Sequence, residues 1–368
     1  MSTPITLNFR DTLSAMKLLH GAGMANAIYS PPGQGKTSMI RQYAESQGPD
    51  FGLFELNCAI SNLPDFGGWF YRSTEHYVDV DGNDITIENG RYTFPYFLFD
   101  KRSGRPIFQF KRGILVFEEH GLAELELKKA LGQTTLERRI NQYQLHDGIN
   151  VVALSNYAGG RDGVTRNFDY QINRWGETHM KQDMDDALIY MHDKGYLTSS
   201  MAFASIPNHK VFDSDAPKEQ GPWLTPRSFE SLDKTMKEII ATKTKLDDPV
   251  ARQALAGLVG QGAAYQYIAF YQLGNKIPSI DSIVKDPDNT PVPTETDQQM
   301  FLVFMMADKA DKGNIKSLVR YMARLRTDMG VAFYRNALMR DKSLMACREF
   351  GDWAVANKSL VAIVNSRV

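Results

Sequence analysis

The residues best suited to chemistry in this 368-residue chain form the run Ser30-Pro-Pro-Gly-Gln-Gly-Lys-Thr, which ends at Lys36 and Thr37. Glycines at 33 and 35 let backbone N–H groups turn toward an anion, and a helix starting there adds the positive end of its dipole. A lysine at position 36 can reach β- and γ-phosphates, and a threonine hydroxyl at 37 can ligate Mg²⁺. Pro32, Gly33, Gln34, Gly35, Lys36, Thr37 and Ser38 are therefore the expected contacts to ATP, with Thr37 also on the metal. Ser30 stands where the usual pattern has glycine, and a small residue there can keep the turn. A Gly/Pro turn that merely happens to end in Lys-Thr is the plain alternative. It is disfavoured by the apolar strand pattern before the loop and the helical pattern after it.

A second constellation follows. Gly113-Ile-Leu-Val-Phe117 is an apolar strand that delivers Glu118 and Glu119 to its carboxyl end, where ligands of parallel sheets bind. Beside a phosphate loop, the first acid would organise Mg²⁺ and its waters and the second would polarise the attacking water. Glu118 replaces the commoner aspartate, so which glutamate does which job stays open. Without the loop upstream, two acids after a strand would read as a solvated strand end. Val151-Val-Ala-Leu-Ser155 is a further strand, and Asn156 at its end offers a neutral amide to hold the lytic water or the γ-phosphate; a turn asparagine is the bland alternative.

These residues need a sheet to hold them. Ala25 to Tyr29, Phe51 to Ala59, Gly113 to Phe117 and Ile149 to Ser155 read as strands, with helices over Leu13 to Leu19 and Thr37 to Gln47. Apolar strands alternating with helices predict a parallel α/β sheet. Between Arg72 and Arg112 the pattern changes to a hairpin around Asp81-Gly82-Asn83, which reads as an insertion. Asp79, Asp81 and Asn83 alternate like a calcium loop, but the glycine comes too early and no glutamate follows at the required distance, so turn chemistry is expected and no metal. Trp69 and Phe70 precede the hairpin, and ordinary core aromatics are the plain expectation for them. From Asp185 onward the pattern is helical, over Asp185 to Lys194, Pro226 to Ala241, Val250 to Leu273, Thr296 to Ala310 and Ile315 to Arg326. Thr225 suits an N-cap and Pro226 the first turn, which places Arg227 where a cation opposes the helix dipole and calls for an anion. The expected organisation is an α/β nucleotide-binding domain over 1–195, a helical lid over 196–290 and a helical extension over 291–368.

Composition sets broad limits. With 43% hydrophobic and 23% charged residues, disordered and fibrous classes are excluded. A net charge of −1 provides no global basic field, so nucleic acid is neither supported nor excluded as a partner. Two distant cysteines, Cys58 and Cys347, have no metal spacing and form no disulfide framework. No stretch reaches the roughly 18 apolar residues of a membrane span, and no leader pattern opens the chain. A cytoplasmic location and no membrane partner are expected.

From about Ala27 to about Pro293 the chain resembles the MoxR-like branch of the AAA+ ATPases, in the form found among phage and bacterial sequences. The likeness is carried by SPPGQGKT, GILVFEE, the run from Glu137 to Asn156, Gln171-Ile-Asn-Arg174-Trp, Trp223-Leu-Thr-Pro-Arg227-Ser and Leu255-Ala-Gly-Leu-Val-Gly-Gln-Gly-Ala-Ala. The resemblance implies an α/β P-loop AAA+ core with a helical lid, and it implies ATP and Mg²⁺ as cofactors. It places Asn156 on the first sensor, Arg174 on an arginine finger and Arg227 on the lid sensor, with Arg161 and Arg166 as other candidates for the finger. It also implies a homo-oligomeric, hexameric ring and a protein client, such as one bearing a von Willebrand A-type domain, and it puts Trp69 and Phe70 where such rings carry an aromatic pore loop, as the alternative to the core. Ser30, Glu118 and the insertion depart from the family pattern. The expected function is an ATPase that remodels or assembles a protein; the rivals are an ATP-driven nucleic-acid motor or loader, and a nucleotide-dependent scaffold with little turnover.

Overall fold

Alternating apolar residues put two faces on each strand, and helices from both sides bury them. The computed structural model describes residues 5–157, 164, 173–211 and 220–356. The chain divides into two units, Met1–Gln182 and Asp183–Val368. In the first, ten strands are labelled in chain order: β1 (Thr6–Leu7), β2 (Ala25–Ser30), β3 (Phe51–Asn57), β4 (Phe70–Val78), β5 (Asp84–Tyr92), β6 (Arg112–Glu118), β7 (Arg139–Ile140), β8 (Tyr143–Gln144), β9 (Ile149–Asn156) and β10 (Trp175–Met180). The α-helices among its described residues are α1 (Phe9–Gly21), α2 (Lys36–Ser46), α3 (Leu63–Gly67) and α4 (Leu125–Glu137).

Six strands form one sheet in the order β1-β10-β2-β9-β6-β3, and every pairing in it is parallel. Ile114 and Val116 on β6 join Val152 and Leu154 on β9 in the core shared with Met16 of α1 and Met39 and Ile40 of α2. Leu115 and Phe117 face the other way, onto Leu127 and Leu131 of α4. This period of two is the strand signature that the apolar runs announce. The sheet has two strands beyond the four expected. β10 has the mixed sequence WGETHM, and β1 is two residues long, so neither carries a clear apolar pattern.

Among the described residues β4 and β5 pair only with each other, antiparallel, from Phe70↔Tyr92 to Val78↔Asp84. Their turn is closed by the Asp79 carboxylate, whose Oδ1 accepts the amides of Asp81 and Asn83 at 2.9 and 2.8 Å. Trp69 and Phe70 are 67% and 63% exposed, so the core alternative for them is set aside.

The second unit is helical. Its start at Asp183 falls earlier than the expected boundary near 195, because the helix Met184–Asp193 places Leu188 and Met191 in the helical core. The helix Thr296–Lys309 gives Phe301 and Phe304 to that core and Leu302, Val303 and Met306 to a second one, so the expected lid and extension share an element. The single helix expected over Val250 to Leu273 is two, Pro249–Val259 and Gln261–Gln272. Gly260 breaks it at φ 83°, where a Cβ would also lie 2.8 Å from the Pro222 carbonyl oxygen. Helix Pro226–Ala241 begins as expected, with Thr225 and Ser228 forming a capping box.

Candidate phosphate-binding site

The phosphate loop lies between β2 and α2, at the carboxyl edge of the sheet. Gly33 and Gly35 adopt φ of 76° and 81°, a region open to glycine at little cost, and Gly35 is the N-cap of α2. A side chain at Gly35 would also meet Phe9 at 3.1 Å. Pro32 is half-buried and Ser38 is exposed in the first turn of α2. Gln34 is buried, and its Oε1 accepts the Gln182 amide at 3.2 Å, so its side chain ties the loop to the residue beyond β10.

Lys36 is buried, and its Nζ donates to Ser30 Oγ at 3.0 Å and to Asn156 Oδ1 at 2.7 Å. β2 and β9 are neighbours in register Ser30↔Asn156, which is why both oxygens meet the lysine. Ser30 is therefore an acceptor for the loop lysine and not merely a small substitute for glycine. The strand ending in Asn156 separates the phosphate-loop strand from the acidic strand, so the amide sits between the two chemical groups.

Glu118 ends β6, with its carboxyl close enough to the Thr37 hydroxyl for that hydroxyl to favour its charged form. Burial raises its carboxyl above the usual range and the Glu55 carboxylate adds to the rise, while Arg41 and the Thr37 hydroxyl oppose it. Glu119 follows in the left-handed region at φ 51°, a conformation that costs a non-glycine residue roughly 1–3 kcal/mol and turns the chain sharply off the strand. The turn is backed by Lys128 of α4, whose Nζ donates to the Gly121 carbonyl at 3.0 Å, and by His120, buried edge-on against Trp175 with ring centroids 4.6 Å apart. Burial pushes His120 down to about 3, so it is neutral near pH 7. Cys58 is a free, buried thiol that burial pushes upward, and such a thiol is a poor nucleophile.

The oxygen donors present, the Thr37 hydroxyl and the Glu118 carboxylate, fit Mg²⁺, which keeps most of its water and takes one or two protein carboxylates beside substrate phosphates. Among the described residues no group of three or more His, Cys, Asp and Glu side chains is arranged to hold a metal ion by itself.

Gly33, Gly35, Lys36, Thr37, Glu118, Glu119 and Asn156 thus share one edge of the sheet. Arg174 does not join them. Arg174 precedes β10, whose first residue pairs with Ala25, so it lies at the amino edge, a strand length from the loop; its Nη1 donates to the Gly132 carbonyl of α4 at 2.9 Å. Arg227 is exposed in the first turn of its helix in the second unit. Arg161 and Arg166 lie outside the described residues. Sequence reasoning missed Arg41 and Glu55, which meet Glu118. Their one signal was a glutamate in the otherwise apolar run Phe51 to Leu56.

Fold and site together define the class: an α/β parallel-sheet core with a phosphate loop between a strand and a helix, followed by a helical part. No family profile matches the chain, and no curated protein matches its sequence. Among solved structures it is similar to the Thermotoga maritima RuvB Holliday junction branch migration motor, at 12% identity over 75% of this chain and 74% of that one, with a TM-score of 0.39. NtrX from Brucella abortus in complex with ADP is 12% identical over 98% of this chain and 70% of that one, with a TM-score of 0.36. The closed state of Hsp104:ATPyS and FITC casein is 13% identical over 68% of this chain and 46% of that one, with a TM-score of 0.34. At these values the site is interpreted from its own geometry. No helix among the described residues is long and apolar enough to cross a membrane.

Proposed function

We propose that this chain is an ATPase that binds and hydrolyses Mg-ATP and uses the energy to remodel or assemble a protein partner, working as a homo-oligomeric ring. The observation that carries the reading is the convergence of Lys36, Ser30 and Asn156 under a glycine loop, with Glu118 and Thr37 close together beside it. A buried ammonium facing two neutral oxygens is poised to exchange them for phosphate oxygens, which bind it more strongly. Backbone N–H groups of the loop and the start of α2 would hold the remaining phosphate charge.

Glu118 and Thr37 are assigned to Mg²⁺, which when bound would neutralise charge on the β- and γ-phosphates. Glu119 is assigned to the attacking water, with its carboxylate accepting the proton, and Asn156 to orienting that water or the γ-phosphate. The contact with Thr37 is what favours Glu118 for the metal and leaves Glu119 for the water. Arg174 is too far along the sheet to serve its own loop, so its proposed target is the γ-phosphate of a neighbouring copy, and Arg227 is proposed to reach nucleotide from the helical part. A MoxR-like role, a hexamer and a client with a von Willebrand A-type domain complete the proposal by family resemblance. Exposed Trp69 and Phe70 are offered as client contacts.

Steady-state ATPase measurement tests the reading. Glu119→Gln should keep ATP affinity and lose about 10² to 10⁴ in turnover. If Glu118→Gln abolishes turnover while Glu119→Gln retains it, the two roles are exchanged. A wild-type chain that binds ATP without turnover would instead be a nucleotide-dependent scaffold.

A further inference from the structure

Arg41 lies one helical turn after Thr37 on α2 and therefore on the same face. Its Nε is 2.7 Å from Glu55 Oε1 and its Nη2 is 3.1 Å from Glu55 Oε2, a two-pronged contact. The same Nη2 lies 3.4 Å from Glu118 Oε1. Glu55 follows Leu53 on β3 at strand spacing, and Glu118 follows Val116 on β6; both leading residues pack into the core that α2 covers. The two carboxylates therefore face one guanidinium across neighbouring strands. Both carboxyl side chains are largely buried, at 10% and 16% exposure, whereas Arg41 is 53% exposed. An arginine engaged by two acids with unequal contacts is a distribution of charge that a substitution can shift either way.

We propose that Arg41 and Glu55 form a clamp that positions Glu118. Glu55 holds the guanidinium by its fork, so Glu118 receives only the longer third contact and stays directed at Thr37. Glu118 is then oriented without being locked into an ion pair that a cation would have to break. Without Glu55 the whole fork turns to Glu118. Without Arg41 two neighbouring carboxylates repel, and Glu118 loses its orientation. The inference rests on the ATP-site reading above and adds two positioning residues to it.

The test is Mg²⁺-dependent binding of a fluorescent ATP analogue to the full chain, compared among wild type, Glu55→Gln, Arg41→Gln and the double variant. Binding without Mg²⁺ should stay within about twofold in all four, because the phosphate loop is untouched. Glu55→Gln should need about tenfold more Mg²⁺ for half its effect, the scale of one charge-assisted contact. Arg41→Gln should need no more Mg²⁺ than wild type, yet show a kcat about tenfold lower at unchanged KM, and Arg41→Lys, which lacks the fork, should not restore it. The double variant should return to within about threefold of the wild-type Mg²⁺ requirement. Equal Mg²⁺ dependence in all four, or shifts of both single variants in the same direction, would overturn the clamp. Loss of Mg²⁺-free binding in a single variant would also overturn it, in favour of a purely structural role. If wild type fails to bind the analogue at any Mg²⁺ concentration, the ATP-site reading itself fails.

Discussion

β9 and β5 are strands of similar length in the same unit, yet all residues of β9 are buried and all residues of β5 are exposed. β9 is hydrogen-bonded on both sides, and its residues pack into both layers of core. β5 has one partner strand and depends on cross-strand contacts such as Phe70 against Tyr92, ring centroids 5.7 Å apart, and the Arg91–Glu75 ion pair. Two-stranded ribbons of this kind are marginally stable alone. The contrast separates two design needs. Phosphate chemistry needs groups held to within a fraction of an ångström, which a buried parallel sheet supplies. A hairpin with exposed Trp69, Phe70, Tyr71 and Val80 supplies surface instead.

The comparison can be broken at the scaffolded edge first. Lys36→Ala should abolish ATP binding by calorimetry while thermal unfolding remains cooperative, since Ser30 and Asn156 can rebind water once the ammonium is gone. Wild-type affinity in that variant would end the phosphate-loop reading. Arg174→Ala leaves the loop intact and should slow hydrolysis by roughly 10³ to 10⁵ if the guanidinium acts on a neighbouring copy. Mixing it with Lys36→Ala should then restore part of the activity, because some interfaces pair an intact loop with an intact finger. Full activity of Arg174→Ala alone would reduce its role to the bond with Gly132.

Smaller effects sharpen the contrast through stability. Leu154→Ala, in the buried heart of β9, should cost roughly 2–5 kcal/mol in urea unfolding. His120 is neutral in the folded state with its proton affinity depressed to about 3, so an unfolded histidine gains a proton below pH 6.5 that the folded one refuses. Its contribution is therefore present above pH 6.5 and is lost as pH falls toward 3. From pH 6.5 to 5 wild type should lose about 2 kcal/mol more than His120→Phe, which keeps a ring against Trp175. Smallest of all, Val80→Lys at the hairpin tip should change stability by less than about 0.5 kcal/mol. A larger loss there would mean that the hairpin is held by contacts beyond its own ladder.

Residue type and local spacing determined much of this protein. The glycine loop, the acids at the end of β6 and the asparagine at the end of β9 are legible because each depends on a few consecutive residues: positive φ at Gly33 and Gly35, an apolar strand, a polar end. The same holds for the Thr225 cap and the Asp79 turn. What the tertiary structure alone decided depends on register and layer. Ser30 meets Lys36 and Asn156 because β2 lies beside β9. Arg41, Glu55 and Glu118 are scattered in sequence and become one cluster only when β3 pairs with β6 beneath α2. β10 is placed by its neighbours, since WGETHM has too little apolar pattern to specify a strand. The exposure of Trp69 and Phe70 follows from a hairpin that, among the described residues, pairs with itself alone. In each case the deciding quantity is which surface remains after the other elements have packed, and no window of sequence contains it.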